Sequence, residues 1–222
     1  MDIFSVALDG PAGAGKSTIA KRLAKELKCT YIDTGAMYRS IGFFCIKEGI
    51  DYHLEKEVSR YLNEIDICFS YSEGKQLLYL NGEEVFEQIR TDEVAKAASK
   101  VATYQAVREK LVDLQRQLAA KQSVVMDGRD IGTVVLPGAT LKLFLTADLE
   151  ERAKRRYTEY QDKNRQVSME EIKKQIEARD RQDIEREVSP LKKAKEAVEI
   201  DTTGLCVEEI IKQIKDLLQK RL

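Results

Sequence analysis

Gly10-Pro11-Ala12-Gly13-Ala14-Gly15-Lys16-Ser17 matches the pattern G-x-x-x-x-G-K-[ST], with Thr18 directly after it. Those residue types suit one task. A polyphosphate has to be wrapped by main-chain N–H groups, and a loop closes that tightly only where side chains are small. Lys16 would set a point charge on the β- and γ-oxygens. Ser17 would offer a hydroxyl to Mg2+, and Thr18 a further contact. The flanks agree. Ile3 to Asp9 is a short apolar run, and Ile19, Ala20, Leu23, Ala24 and Leu27 recur at helical spacing behind the loop. Strand, loop and helix therefore follow in order, with a helix N-terminus facing the phosphates. The pattern alone names neither the nucleotide nor what is done with it.

Other polar groups fall at strand ends. Val124-Val125-Met126-Asp127 finishes a buried-type strand in an acid, and Gly128-Arg129-Asp130 follows at once. Asp127 suits a Mg2+ site beside Ser17, directly or through water; it also suits a loop acid capping the next turn. In open α/β sheets ligands bind beyond the carboxyl ends of the strands, which is where Arg129 and Asp130 would lie. Asp33, Thr34 and Gly35 follow another strand end, with Tyr38 and Arg39 one turn into the next helix.

Two arginine sets remain. Arg179, Asp183 and Arg186 are spaced i, i+4, i+7 and continue the stripe of Ile172 and Ile176. They either face a ligand or form exposed ion pairs worth only a few tenths of a kcal/mol. Arg152, Arg155 and Arg156 flank a stripe of Leu149, Ala153, Tyr157 and Tyr160. They form either a solvated basic face or a flap that closes over phosphates, with the polar segment Gln161 to Gln166 as its turn. An arginine acting on transferred phosphate is worth about 10³–10⁵-fold in rate.

The elements that must position these groups alternate. Thr30 to Asp33, Ser123 to Met126, Leu141 to Leu145 and Ala197 to Asp201 read as short strands beside the first one, with helical segments between them. Five core strands so separated imply an α/β protein with a mainly parallel sheet. Around residues 65–86 the period changes: Ile65, Ile67, Phe69 and Tyr71 alternate, Gln76 to Leu80 is a second strand, and Asn81-Gly82 signals a type I′ turn into a third strand at Glu83 to Val85. Thr91 with Asp92 and Glu93 predicts a capped helix start. Asp148 with Glu151 and Ser168 with Glu171 predict capping boxes. Val207, Ile210, Ile211, Ile214, Leu217 and Leu218 predict a last amphipathic helix.

Composition limits the function classes. The 222 residues carry 37 Lys+Arg against 38 Asp+Glu, a net charge of −1. A non-specific nucleic-acid binder needs a basic surplus, so no nucleic-acid partner is expected. The single histidine, His53, rules out a His-rich zinc site. No apolar run nears a membrane span, and the N-terminus, with Asp2 and an early Gly-rich turn, does not read as a signal peptide. Cys29, Cys45, Cys68 and Cys206 are widely spaced and read as buried thiols in a reducing cytosol.

At this point the chain resembles the bacterial-type cytidylate (CMP) kinases over nearly its whole length. The carrying motifs are GPAGAGKST at 10–18, DTGAMYR at 33–39, IRTDEVAKAAS at 89–99, DGRDIGTVV at 127–135 and RDRQDIEREVSPL at 179–191. The resemblance implies the fold of P-loop nucleoside monophosphate kinases: a five-stranded parallel core, a small antiparallel insert and a helical lid. It implies a core of 1–35, 100–150 and 190–222, an acceptor-binding region of 36–99 with the insert at about 65–86, and a lid with its following helix at 151–189. By the same resemblance Gly10 to Thr18 would hold ATP. Thr34, Arg39, Arg129 and Arg186 would grip the CMP phosphate; some members carry Ser where Thr34 stands. Ser99, Arg108 and Asp130 would read cytosine, and Arg179 and Asp183 would contact the sugar. Lys16, Arg129, Arg152, Arg155 and Arg186 would be the catalytic cations, with Ser17 and Asp127 at Mg2+. The implied activity is transfer of the ATP γ-phosphate to CMP or dCMP; a cytoplasmic monomer is expected besides. The competing readings are a P-loop kinase for another small acceptor and a GTPase-type switch. The switch would need a guanine-reading Asn-Lys-x-Asp segment, and the chain has none.

Overall fold

The computed structural model describes residues 3–72, 75–162 and 165–222. In chain order its strands and α-helices are β1 (Ser5–Asp9), α1 (Lys16–Leu27), β2 (Thr30–Asp33), α2 (Thr34–Lys47), α3 (Glu55–Tyr61), β3 (Ile67–Ser72), β4 (Lys75–Leu80) and β5 (Glu83–Glu84). They continue with α4 (Asp92–Val101), α5 (Gln105–Lys121), β6 (Val124–Asp127), β7 (Leu141–Thr146), α6 (Leu149–Asp162), α7 (Met169–Glu185), β8 (Val198–Asp201) and α8 (Val207–Gln219). The chain forms two compact units: one runs to Ile32 and resumes from Arg116 to Leu222, the other spans Asp33–Gln115.

The first unit is built on a five-stranded sheet in the order β2-β6-β1-β7-β8. β1 pairs in parallel with β6 and β7, and β7 pairs in parallel with β8. The central strand is apolar because it is covered on both faces: Val6, Ala7 and Leu8 are fully buried. Ile19, Leu23 and Ala24 of α1 share one core with Ile210, Ile211, Ile214 and Leu218 of α8. The α/β architecture expected from the strand spacing is the one observed. This sheet brings the ends of β1 and β6 side by side, with Leu8 opposite Asp127.

Local signals mostly hold, but of the four cysteines expected to be buried only Cys45 is; Cys29 is half-buried, and Cys68 and Cys206 are exposed. Ser168 and Glu171 form the expected capping box at α7. Asp148 and Glu151 do not, because the Asp148 N–H donates to Thr203 Oγ1 at 3.0 Å while Glu151 pairs with Arg155. Ile131–Val135 folds as a single wide helical turn, with the Leu136 N–H donating to the Ile131 carbonyl at 2.7 Å. Local pattern gave no hint of that turn. Tyr157, expected on the buried stripe of α6, is 36% exposed, whereas Ala153 and Tyr160 are buried with Ile172 and Ile176. The expected turn at Gln161 to Gln166 includes 163 and 164, which lie outside the described residues.

The second unit pairs α2 with α4 and carries an antiparallel sheet in the order β3-β4-β5. Asn81 at φ 50° and Gly82 at φ 82° supply the two positive φ angles of a type I′ turn. Thr91 caps α4 by accepting from the Val94 N–H at 3.2 Å. Gly42 permits a close approach within this unit, since a Cβ there would stand 2.8 Å from the Ala98 main-chain nitrogen.

Candidate active site

The phosphate loop links β1 to α1. A Cβ at Gly10 would lie 2.0 Å from the Leu145 carbonyl oxygen, so only glycine fits where the chain leaves the sheet. Gly13 and Gly15 take φ 77° and 79°, which turns the chain into the helix. Lys16 opens α1, is buried, and donates to the Pro11 carbonyl at 2.6 Å. Burial, reinforced by the positive charges of Arg129 and Arg179, pulls its ammonium well below the usual lysine range against the pull of Asp127 and Asp183. A polyanion in the loop would relieve that crowding of cations.

Asp127 ends β6 as expected. Its Oδ2 accepts from Ser17 Oγ at 2.8 Å and its Oδ1 from Tyr31 Oη at 2.8 Å. One hydroxyl and one carboxylate, both hard oxygen donors held together, fit a Mg2+ that keeps several waters and takes its other ligands from substrate phosphates. Among the described residues no group of three His, Cys, Asp or Glu could hold a metal by itself.

Beyond Asp127 the chain assembles an ionic cluster. Arg129 Nε donates to Asp183 Oδ2 at 2.7 Å. Arg186 lies 3.6 Å from Asp130 and 3.7 Å from Asp183. Asp183 and Arg186 are buried, so the helical spacing of this set is not that of exposed ion pairs. Arg186 sits just past the end of α7 with extended ψ, and its Nε donates to the Ser189 carbonyl at 2.6 Å. Burial would raise the Asp183 carboxyl, but the charges of Arg129 and Arg179, with the Arg129 hydrogen bond, hold it below the usual range. Burial likewise opposes the Arg129 charge, and Asp183, joined by Asp127 and Asp180, more than restores it.

The arginines of α6 are anchored. Arg152 Nη1 donates to the Ala12 carbonyl at 3.0 Å and to Asp180, and its Nε donates to the Ala147 carbonyl. Arg155 donates to Thr202 Oγ1 at 3.0 Å and to the Thr202 carbonyl at 2.7 Å. Arg156 donates through Nε and Nη2 to Tyr160 Oη at 3.1 and 3.0 Å.

The second unit holds the other expected residues. Asp33 caps α2 by accepting from the Ala36 N–H at 2.9 Å and from Arg39 at 3.1 Å. Thr34 is buried at the start of α2, and Arg39 Nε is a buried donor without a hydrogen-bond partner. Arg108 on α5 is buried, donates to the Ala102 carbonyl at 3.2 Å and lies 5.4 Å from the Tyr38 ring centre. Ser99 is half-buried on α4. A donor left over in a buried site suits an anionic ligand.

Comparison with known proteins decides between phosphate-loop families. The family model described as "Cytidylate kinase" matches residues 6–220. The chain belongs to the cytidylate kinase family. A cytidylate kinase of Bacillus cereus is 49% identical over 215 residues, covering 97% of this chain and 96% of its own. One of Lactobacillus johnsonii is 45% identical over 219 residues, covering 99% and 95%. Among solved structures, an uncharacterised protein of Eubacterium ventriosum shares the fold, with a TM-score of 0.57 at 12% identity over 99% of this chain and all of that one.

Within this chain, the sequence motifs passed over Asp9, Tyr31, Asp180 and Thr202. Asp9 ends β1 and accepts from the Ile131 and Gly132 N–H groups, both at 2.7 Å. Its signal was an acid closing an apolar strand directly before the loop. Asp180 accepts from the Ala12 N–H at 2.9 Å, across 168 residues, and no local spacing reports that. Tyr31 and Thr202 sit in or beside strands, where their hydroxyls look incidental until the sheet places them.

Proposed function

We propose that this chain transfers the γ-phosphate of ATP to CMP, giving ADP and CDP. The observation that carries the reading is membership of the cytidylate kinase family over residues 6–220, joined to a phosphate loop whose Lys16 is buried among arginines. dCMP is proposed as a second acceptor, because an Asp183 carboxylate near the ribose hydroxyls tolerates either sugar.

The loop from Gly10 to Thr18 would wrap the ATP phosphates with main-chain N–H groups, and Lys16 would sit on the β- and γ-oxygens. Ser17 and Asp127 would hold Mg2+, which neutralises phosphate charge when bound. Thr34, Arg39, Arg129 and Arg186 would orient the CMP phosphate for in-line attack on the γ-phosphorus. Arg179 and Asp183 would contact the ribose. Asp130 would accept from the cytosine amine while Ser99 and Arg108 donate to its acceptors. Uracil presents an acceptor where cytosine has that amine, and a buried carboxylate left facing it disfavours UMP. No general base is needed, since a nucleoside monophosphate is already anionic at neutral pH. Arg129, Arg152, Arg155 and Arg186 would oppose charge that develops during transfer. Residues 36–99 serve as the acceptor region and 151–189 as the lid in this reading, in a cytoplasmic monomer without a nucleic-acid partner. Among the described residues no helix is long and apolar enough to cross a membrane.

Incubation with γ-labelled ATP, Mg2+ and CMP tests the reading. Label should move into CDP in proportion to ADP formed. Release of the label as inorganic phosphate, with CMP unchanged, would refute it.

A further inference from the structure

Asp180 follows Arg179 on α7, and nothing in the motif reading gives it a task. Its carboxylate has two partners. Oδ1 accepts from the Ala12 N–H at 2.9 Å, and Oδ2 accepts from Arg152 Nη1. The same Arg152 nitrogen donates to the Ala12 carbonyl at 3.0 Å. One carboxylate and one guanidinium thus close a ring around a single residue of the phosphate loop. They reach it from 168 and 140 residues along the chain. Both side chains are mostly buried, 11% exposed for Arg152 and 13% for Asp180. A Cβ at Gly13 would come within 3.1 Å of Arg152 Cβ, so the loop lies directly against α6.

The loop needs such support. Gly13 and Gly15 hold left-handed φ angles, and glycine gives a free loop many other conformations. Ordering it only when ATP arrives would weaken binding; a loop already held in shape avoids that loss. Charge-assisted hydrogen bonds in a partly dry site are the stronger kind. Asp180 also points Arg152 inward, at the Ala12 carbonyl.

We propose that Asp180 is a positioning residue: with Arg152 it clasps the Ala12 peptide and holds the phosphate loop in the shape that ATP binding requires. The proposal deepens the kinase reading and rests on its assignment of the loop to ATP.

Asp180→Asn keeps one acceptor and turns the other into a donor, so it cannot serve both partners. The Michaelis constant for ATP should rise about tenfold, while that for CMP stays within twofold. In the Arg152→Gln background, Asp180→Asn should add less than twofold, because the two act as one clasp. An ATP constant within twofold of wild type, or effects that multiply in the double variant, would overturn the proposal. Amide hydrogen exchange at Ala12 in nucleotide-free wild-type protein gives a second, variant-free test. Slow exchange is expected, and exchange at the rate of an open loop removes the clasp. A wild-type protein inactive on CMP would sink the kinase reading, yet Ala12 exchange would still decide the clasp.

Discussion

Asp9 shows how a single buried charge tunes the site. Burial raises its carboxyl from 3.8 to about 6; the Gly132 and Ile131 N–H groups and Lys16 pull the other way, and Asp130 adds to the rise. The folded state therefore binds a proton more tightly than the unfolded chain. Stability from this group is greatest below about pH 4 and is lost as pH rises toward 6. The size is about 3 kcal/mol, from the 1.36 kcal/mol that one pKa unit represents. The ionised form is nonetheless the one that accepts both N–H groups and anchors the turn after Asp130. Denaturant unfolding at intervals from pH 4 to pH 7 should show wild type losing stability relative to Asp9→Asn across that window. A constant difference between the two would mean that Asp9 does not titrate there. Asp9 was invisible to motif reading because its partners lie more than 120 residues away.

At the scale of elements, the α2–α4 packing turns on Gly42. Alanine is a better helix former than glycine by about 1 kcal/mol, which alone favours Gly42→Ala. The new Cβ would stand 2.8 Å from a main-chain nitrogen of α4 and 3.2 Å from the Ala97 carbonyl carbon, and backbone cannot step aside. Overpacking of this kind costs about 1–3 kcal/mol, so the clash should win. A lower urea midpoint with an unchanged slope is expected; a raised midpoint would show that the helices can part without loss. Elements were the most legible level of this chain. β2 begins and ends where the run Thr30 to Asp33 does, and Asn81-Gly82 forms the turn its residues require. The failures were tertiary. The Asp148 N–H found Thr203 instead of Glu151, and the wide turn at Ile131–Val135 is set by Asp9 from the end of β1.

On the scale of the whole molecule, 37 cations nearly balance 38 anions, yet the balance is local as well as global. In the first unit Lys16, Arg129, Arg179 and Arg186 are interleaved with Asp127, Asp130 and Asp183, so a cationic site stays folded before substrate arrives. In the second unit Arg39 leans on Asp33, and Arg108 on a carbonyl and an aromatic ring. The phosphate loop and the acids at the strand ends were legible from sequence because short patterns define them. The clasp on Ala12 was not, since it joins three distant segments. What such a site does is answered by initial rates of ADP release with Mg2+ and ATP, measured against CMP, dCMP, UMP, AMP, GMP, shikimate and a blank without acceptor. CMP and dCMP should turn over far above the blank and above UMP; rates with CMP no higher than the blank would contradict phosphoryl transfer to CMP as the function of this fold.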